Sequence, residues 1–174
     1  EVELKINEQE KKKKKVILYG SSTFRLWDDA STDLSLSNLI NLGFGGATLE
    51  ACRVYFNRLI VNENPDIIIL YAGDNDIGNG SSIRDVVNQF DLFVDQMSEN
   101  LPNTKGFFIS IKPSPFRRNK LSIIKKTNSK IKKIISNNLN WEYIDIFNYM
   151  ITSDGEPSEL FYQKDMLHLN KVGY

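Results

Sequence analysis

The chain has 174 residues, one domain's worth and enough for a single sizeable core. Its 22 basic and 22 acidic side chains balance, which points away from nucleic acid, acidic membranes or polyanionic substrates as partners. With apolar residues at 41% and charged residues at 25%, the composition is that of an ordinary globular protein, and a single cysteine, Cys52, excludes an internal disulfide, a zinc ribbon and a paired-cysteine redox motif.

Residues 1–15 end in a run of lysines, Lys11 to Lys15, and read as a polar linker or leader outside the core; the domain is expected over 16–174. The chain opens on Glu1 rather than Met, so removal of an export signal is compatible with it, and its compartment is not legible. Val16 to Tyr19, closed by Gly20, reads as a first buried strand, and Leu39 to Leu42, closed by Gly43, as a second. The spacing of apolar residues predicts a helix over Thr48 to Val61. Ile67 to Tyr71 is the clearest strand, opened by Pro65-Asp66 and closed by Gly73.

Ile83, Val86, Val87, Phe90, Phe93, Val94, Met97 and Leu101 trace one face of a second helix, with Ser82 and Asp85 as its cap and acidic first turn. Gly106 to Ile111 is a fourth strand, ended by Pro113. Leu121, Ile124, Ile131, Ile134, Ile135 and Leu139 trace a third helix, and Tyr143 to Ile146 is a weaker fifth strand. No apolar run approaches the ~18 residues of a membrane span. Strands alternating with helices predict a mostly parallel sheet with helices on both faces, a three-layer α/β/α arrangement of about five strands. Sites in such sheets form at the carboxyl ends of strands.

Four polar clusters fall at or near such ends. Ser22 lies in Gly20-Ser21-Ser22-Thr23, where a strand turns into a helix and free N–H groups face any anion formed there. Taken alone, the segment is better explained by a helix cap, and Phe24 breaks a G-x-S-x-G elbow. Gly43-Phe44-Gly45-Gly46-Ala47-Thr48 lets backbone N–H groups approach a ligand. A dinucleotide fingerprint there fails, because Thr48 takes the last glycine's place and no acidic residue closes the next strand.

In Gly73-Asp74-Asn75-Asp76 an asparagine at a strand end can aim its amide donors into a site; taken alone, the segment also reads as a polar turn. A calcium loop through Asp74, Asp76 and Asp85 is weak, since Asn79 replaces its glycine and Gly78 offers no ligand. Finally, Asp165 stands three residues before His168, the only imidazole, and can accept its Nδ1–H. One histidine and one cysteine leave no conventional metal-ligand cluster. Together the clusters supply a nucleophile, a base, an orienting acid and oxyanion donors, the roles that acyl transfer requires.

As a set, these motifs over about 16–174 resemble the SGNH (GDSL-like) hydrolases. The branch is the bacterial one in which the first block looks like G-S-S-S-I-R-L-W, here Gly20-Ser21-Ser22-Thr23-Phe24-Arg25-Leu26-Trp27. Gly46 matches the family's oxyanion glycine and Asn75 its oxyanion amide in Gly73-Asp74-Asn75-Asp76. Ser110-Ile111-Lys112-Pro113-Ser114-Pro115 also looks like this branch, and Asp165 to His168 matches D-x-x-H. The resemblance implies a flavodoxin-like sheet and a serine esterase with Ser22 as nucleophile, His168 as base and Asp165 as its orienting partner. It implies an oxyanion hole from the N–H groups of Ser22 and Gly46 with the Asn75 side chain, and needs neither cofactor nor metal. Ser21 stands where the literal spelling has aspartate, and Leu42 where an arginine is usual. Relatives run on past the position of Tyr174 into a closing helix, which is expected to be absent here.

The expected substrate is a small-molecule ester, with short acyl groups on a polar or carbohydrate alcohol. The longest irregular stretch, near Thr152 to Ser158, offers little material for a lid, and Phe44 and Phe116 could flank an open mouth. A lysophospholipase, thioesterase or acyltransferase on the same residues, and a non-catalytic binding module of this fold, are the rival readings. Oligomeric state is not legible.

Overall fold

The computed structural model describes residues 14–174. Most of the predicted polar leader, residues 1–13, therefore lies outside the described residues. Lys15 is tied down: its amide donates to Asp66 and its ammonium to the Glu63 carbonyl, at 2.7 and 2.6 Å.

Five parallel strands form one sheet in the order β2-β1-β3-β4-β5: β1 Val16–Gly20, β2 Leu39–Gly43, β3 Ile67–Tyr71, β4 Lys105–Ile109 and β5 Trp141–Ile144. This is the flavodoxin-like order, in which the chain leaves β1 for β2 and returns on the other side as β3. Gly20 thereby faces both Gly43 and Tyr71, so the ends of β1, β2 and β3 converge at the switch point.

Side chains alternate across the sheet. Ile17, Tyr19, Ile68, Leu70 and Phe108 point to the larger core, under α3 (Leu49–Leu59), α5 (Ile83–Asn100) and α6 (Leu121–Ser136). Phe90 packs edge-on against Phe108 and Trp141, with ring centroids 4.9 and 5.5 Å apart. Each such ring, fully buried, contributes about 1.5–3 kcal/mol over exposure. Leu18 and Tyr71 point the other way, to Phe24 and Ala30 of the short helices α1 (Ser22–Arg25) and α2 (Ala30–Asp33). This second helical layer is thinner, and Ile144 of β5 is exposed.

Caps follow the sequence signals. Ser82 and Asp85 form a reciprocal capping box on α5, and Thr48 caps α3 by accepting from Ala51 N–H at 3.1 Å. Three boundaries differ from expectation. β4 ends at Ile109 rather than Ile111, because the backbone of Ile111 pairs in both directions with the Asn128 side chain, at 2.9 Å each. β5 begins at Trp141 and stops at Ile144, because the Trp141 indole seats over Gly106, and the Ser110 hydroxyl takes the N–H groups of Ile146 and Phe147. The third predicted helix ends at Ser136, so Leu139 is off its apolar face and fully exposed.

The irregular stretch is also longer than Thr152–Ser158. From 145 to 174 the chain is turns, two short 3₁₀ segments and isolated bridges, clamped by a satellite core of Met150, Tyr162 and Leu169.

Candidate active site

The nucleophile candidate is built by a turn that only glycine permits. Gly20 has φ +135°, and a Cβ there would lie 2.7 Å from the Tyr71 carbonyl carbon. Ser21 then caps α1, accepting weakly from Thr23 N–H at 3.4 Å, and Ser22 is the first helical residue. Ser21 is buried and Ser22 is half-buried. The Ser22 hydroxyl makes no hydrogen bond to the described residues, and none joins it to His168. Such contacts are often long or unformed before substrate binds.

The glycine loop sits beside this turn. Phe44 N–H donates to the Gly20 carbonyl at 2.8 Å, and Asn41 Nδ2 donates to the Phe24 carbonyl at 2.7 Å. Gly46 adopts φ +71° with open space where a Cβ would be. Asn75, the second residue of α4 (Asp74–Gly78), donates from Nδ2 to the Ala47 carbonyl at 3.0 Å. Its second Nδ2 hydrogen has no acceptor among the described residues. Asn75 and the glycine loop are thus brought together at the end of β3.

The histidine is presented by a compact loop. Asp165 Oδ1 accepts the N–H groups of Leu167 and His168, each at 2.9 Å, and Oδ2 meets His168 Nδ1 at 2.6 Å. Burial pushes the Asp165 carboxyl up, but the bonds from the His168 ring and these two amides outweigh it and hold the group at about 2. Met166 takes the left-handed conformation inside this loop, and Gln163 N–H closes it on the His168 carbonyl at 2.8 Å. The loop's far end returns to the nucleophile turn: Tyr174 donates to the Thr23 carbonyl at 2.7 Å and stacks on Trp27.

The carboxylates of the rejected calcium loop each have other employment. Asp85 caps α5, and Asp76 takes the Leu49 N–H at the start of α3. Asp74 lies between Lys112 Nζ at 2.8 Å and Arg117 Nη1 at 2.6 Å, all three nearly buried. Lys112 also reaches the Tyr71 hydroxyl at 3.2 Å and Oγ1 of Thr23, the residue after Ser22, at 3.4 Å. Burial alone would lower the Lys112 ammonium; the Asp74 carboxylate and Tyr71 hydroxyl reverse that and raise it. Sequence reading missed this cluster. Its one signal was a lysine following an apolar strand, where the chain is otherwise buried.

Phe44 is half-buried between Tyr19 and Tyr55, whereas Phe116 is exposed. A cleft of about 780 Å³ lies beside the stacked Trp27 and Tyr174, walled also by Leu26, Asp33, Gln163 and Asn170 among others, but not by Ser22, Asn75 or His168.

Residues 17–174 match the GDSL-like lipase/acylhydrolase family. A search of curated proteins finds no match. Among solved structures, a GDSL-like lipase from Bacteroides thetaiotaomicron is similar at TM-score 0.79 and 21% identity, over 94% of this chain and 83% of that one. A lipase/acylhydrolase from Enterococcus faecalis is similar at 0.72 and 22%, over 92% and 89%. An acetyl xylan esterase is similar at 0.70 and 19%, over 91% and 92%. At these identities the likeness is one of fold.

Proposed function

Because the chain belongs to the GDSL-like lipase/acylhydrolase family and is a hydrolase, we propose that it is a serine esterase working through an acyl-enzyme on Ser22. Ser22 Oγ attacks the ester carbonyl carbon while His168 Nε2 takes its proton. Asp165 holds the Nδ1–H tautomer and stabilises the imidazolium. The oxyanion is held by the N–H groups of Ser22 and Gly46 and by Asn75 Nδ2. Collapse expels the alcohol, which takes the proton back from His168. Water, deprotonated by His168, then attacks the acyl-enzyme and frees the acid and Ser22. No step calls on a metal or cofactor.

The observation that carries this reading is the Asp165–His168 contact of 2.6 Å, built on a carboxylate that also organises the loop backbone. An isolated surface histidine would have no such support. The test is labelling with an active-site serine phosphonate, with the modified residue located by mass spectrometry. Label on Ser22, lost in Ser22→Ala, is expected. Ester hydrolysis retained by Ser22→Ala would refute the assignment.

The substrate is proposed to carry a short acyl group on a polar alcohol such as a sugar. Support comes from the walls of the neighbouring cleft, where Asp28, Asp29, Asp33, Asn170 and Lys171 interrupt the apolar surface. Each further CH₂ gains ~0.8 kcal/mol only where an apolar surface receives it. kcat/KM for p-nitrophenyl esters is expected not to climb from acetate to palmitate. A steady rise would favour a lipase or lysophospholipase instead.

A further inference from the structure

Asn75 is held from both ends. Its Nδ2 donates to the Ala47 carbonyl at 3.0 Å, and its Oδ1 accepts from Arg117 Nη2 at 3.4 Å. Arg117 is not free to wander, because its Nη1 is paired with Asp74 at 2.6 Å and the side chain is only 11% exposed. The guanidinium lies flat over α4 where Gly78 has no side chain; a Cβ there would come within 2.7 Å of Nε. Its backbone breaks the short 3₁₀ run Pro115–Lys120, at φ −108° and ψ 28°, and the preceding Phe116 N–H donates to the Met166 carbonyl of the histidine loop at 3.0 Å. One turn therefore touches both the oxyanion amide and the loop that carries His168.

We propose that Arg117 is a positioning residue for the reaction, fixing the orientation of the Asn75 amide so that its free Nδ2–H points at the oxyanion. The proposal rests on Asn75 being an oxyanion donor. An amide can present either end after a half-turn about its terminal torsion. Here the flipped state would set an NH₂ against the guanidinium, donor against donor, and Oδ1 against the Ala47 carbonyl, acceptor against acceptor. Both contacts would turn repulsive, so one rotamer is selected before substrate arrives. A cation on Oδ1 also polarises the amide and makes Nδ2–H a stronger donor. Lys112 takes the other oxygen of Asp74 and leaves Oδ1 to Arg117. Lysine at position 117 would lack the planar fork that serves Asp74 and Asn75 at once.

The experiment is a double-mutant cycle with Arg117→Ala and Asn75→Ala. Rates are normalised to active sites titrated with a serine phosphonate, so that loss of folded protein does not count. Arg117→Ala is expected to lower kcat about 10-fold or more with KM within about twofold, and to cost less than about twofold further when Asn75 is already alanine. An equal loss in both backgrounds would show that Arg117 acts independently of the amide, and would overturn the proposal while leaving the oxyanion role of Asn75 intact. Undiminished kcat in Asn75→Ala would remove that role and the proposal with it. Should Arg117→Ala fail to fold, Arg117→Lys keeps a cation against Asp74 and carries the same cycle, with the same non-additivity expected and additivity again refuting.

Discussion

Replacing Asp165 by asparagine tests the dyad with the least disturbance of its loop. Asparagine is isosteric, so its Oδ1 keeps the bonds from Leu167 and His168 N–H, now at 2.9 Å each. Those bonds are retained, so the loop backbone should hold, and the stability lost is that of the carboxylate's bond to the ring alone, about 1 kcal/mol at this half-exposed site. What changes is the group facing His168 Nδ1 at 2.6 Å, which becomes an NH₂ donor in place of a carboxylate oxygen. Nδ1 must then accept, the imidazole proton moves to Nε2, and the base has no lone pair for the Ser22 proton. A dyad held in the wrong tautomer loses about 10⁴ in kcat, or about 5.5 kcal/mol of transition-state stabilisation. Measured on p-nitrophenyl acetate at saturating substrate, Asp165→Asn should fall by that order, with a thermal midpoint within about 4 °C of the parent. Activity within tenfold of the parent would refute the claim that this contact sets the tautomer.

Four further outcomes are expected. The Asp165 carboxyl sits at about 2 in the fold against a usual 3.8, so its contribution to stability is present above pH 3.8 and is lost as pH falls through about 2. Acid titration followed by circular dichroism should therefore show the parent losing its advantage over Asp165→Asn across that window, and parallel curves would contradict this. Lys112→Met leaves Asp74 with one cation instead of two in a buried site; a loss near 3 kcal/mol, or about 6–12 °C in thermal midpoint, is expected by calorimetry. Gly20→Ala drives a methyl into the Tyr71 carbonyl at a φ that alanine does not tolerate, and soluble yield should collapse, whereas Ser21→Ala should cost only about 1 kcal/mol. Esterase activity should survive chelation, since Asp74, Asp76 and Asp85 are each engaged by protein groups. Loss on EDTA restored by calcium would revive the rejected loop.

Much of the architecture was readable because its signals are local. An apolar run of a few residues closed by glycine marks a buried strand wherever it packs, and Gly20, Gly43 and Gly73 close β1, β2 and β3 as those runs implied. The Asp165–His168 pair is likewise local, since a carboxylate three residues before an imidazole can fold back on it within one turn. The Ser82–Asp85 box is legible for the same reason.

What the tertiary structure alone decided are the choices made by residues distant in sequence. β4 stops at Ile109 because Asn128 claims the backbone of Ile111, and β5 starts at Trp141 because Gly106 makes room for an indole. Asp74 looked like a polar turn beside Asn75; burial demanded a counter-charge, and the fold supplied Lys112 from 38 residues away and then Arg117. No periodicity encodes that pairing. A buried carboxylate must find cations to offset its lost hydration, but which cations reach it depends on how β3, β4 and the turn after them are stacked. Sequence by itself determined which residues stand at the strand ends, because strand and turn chemistry act over a few neighbours. The packed fold determined how those residues are aimed, because desolvation and long-range hydrogen bonding act only once the layers have closed.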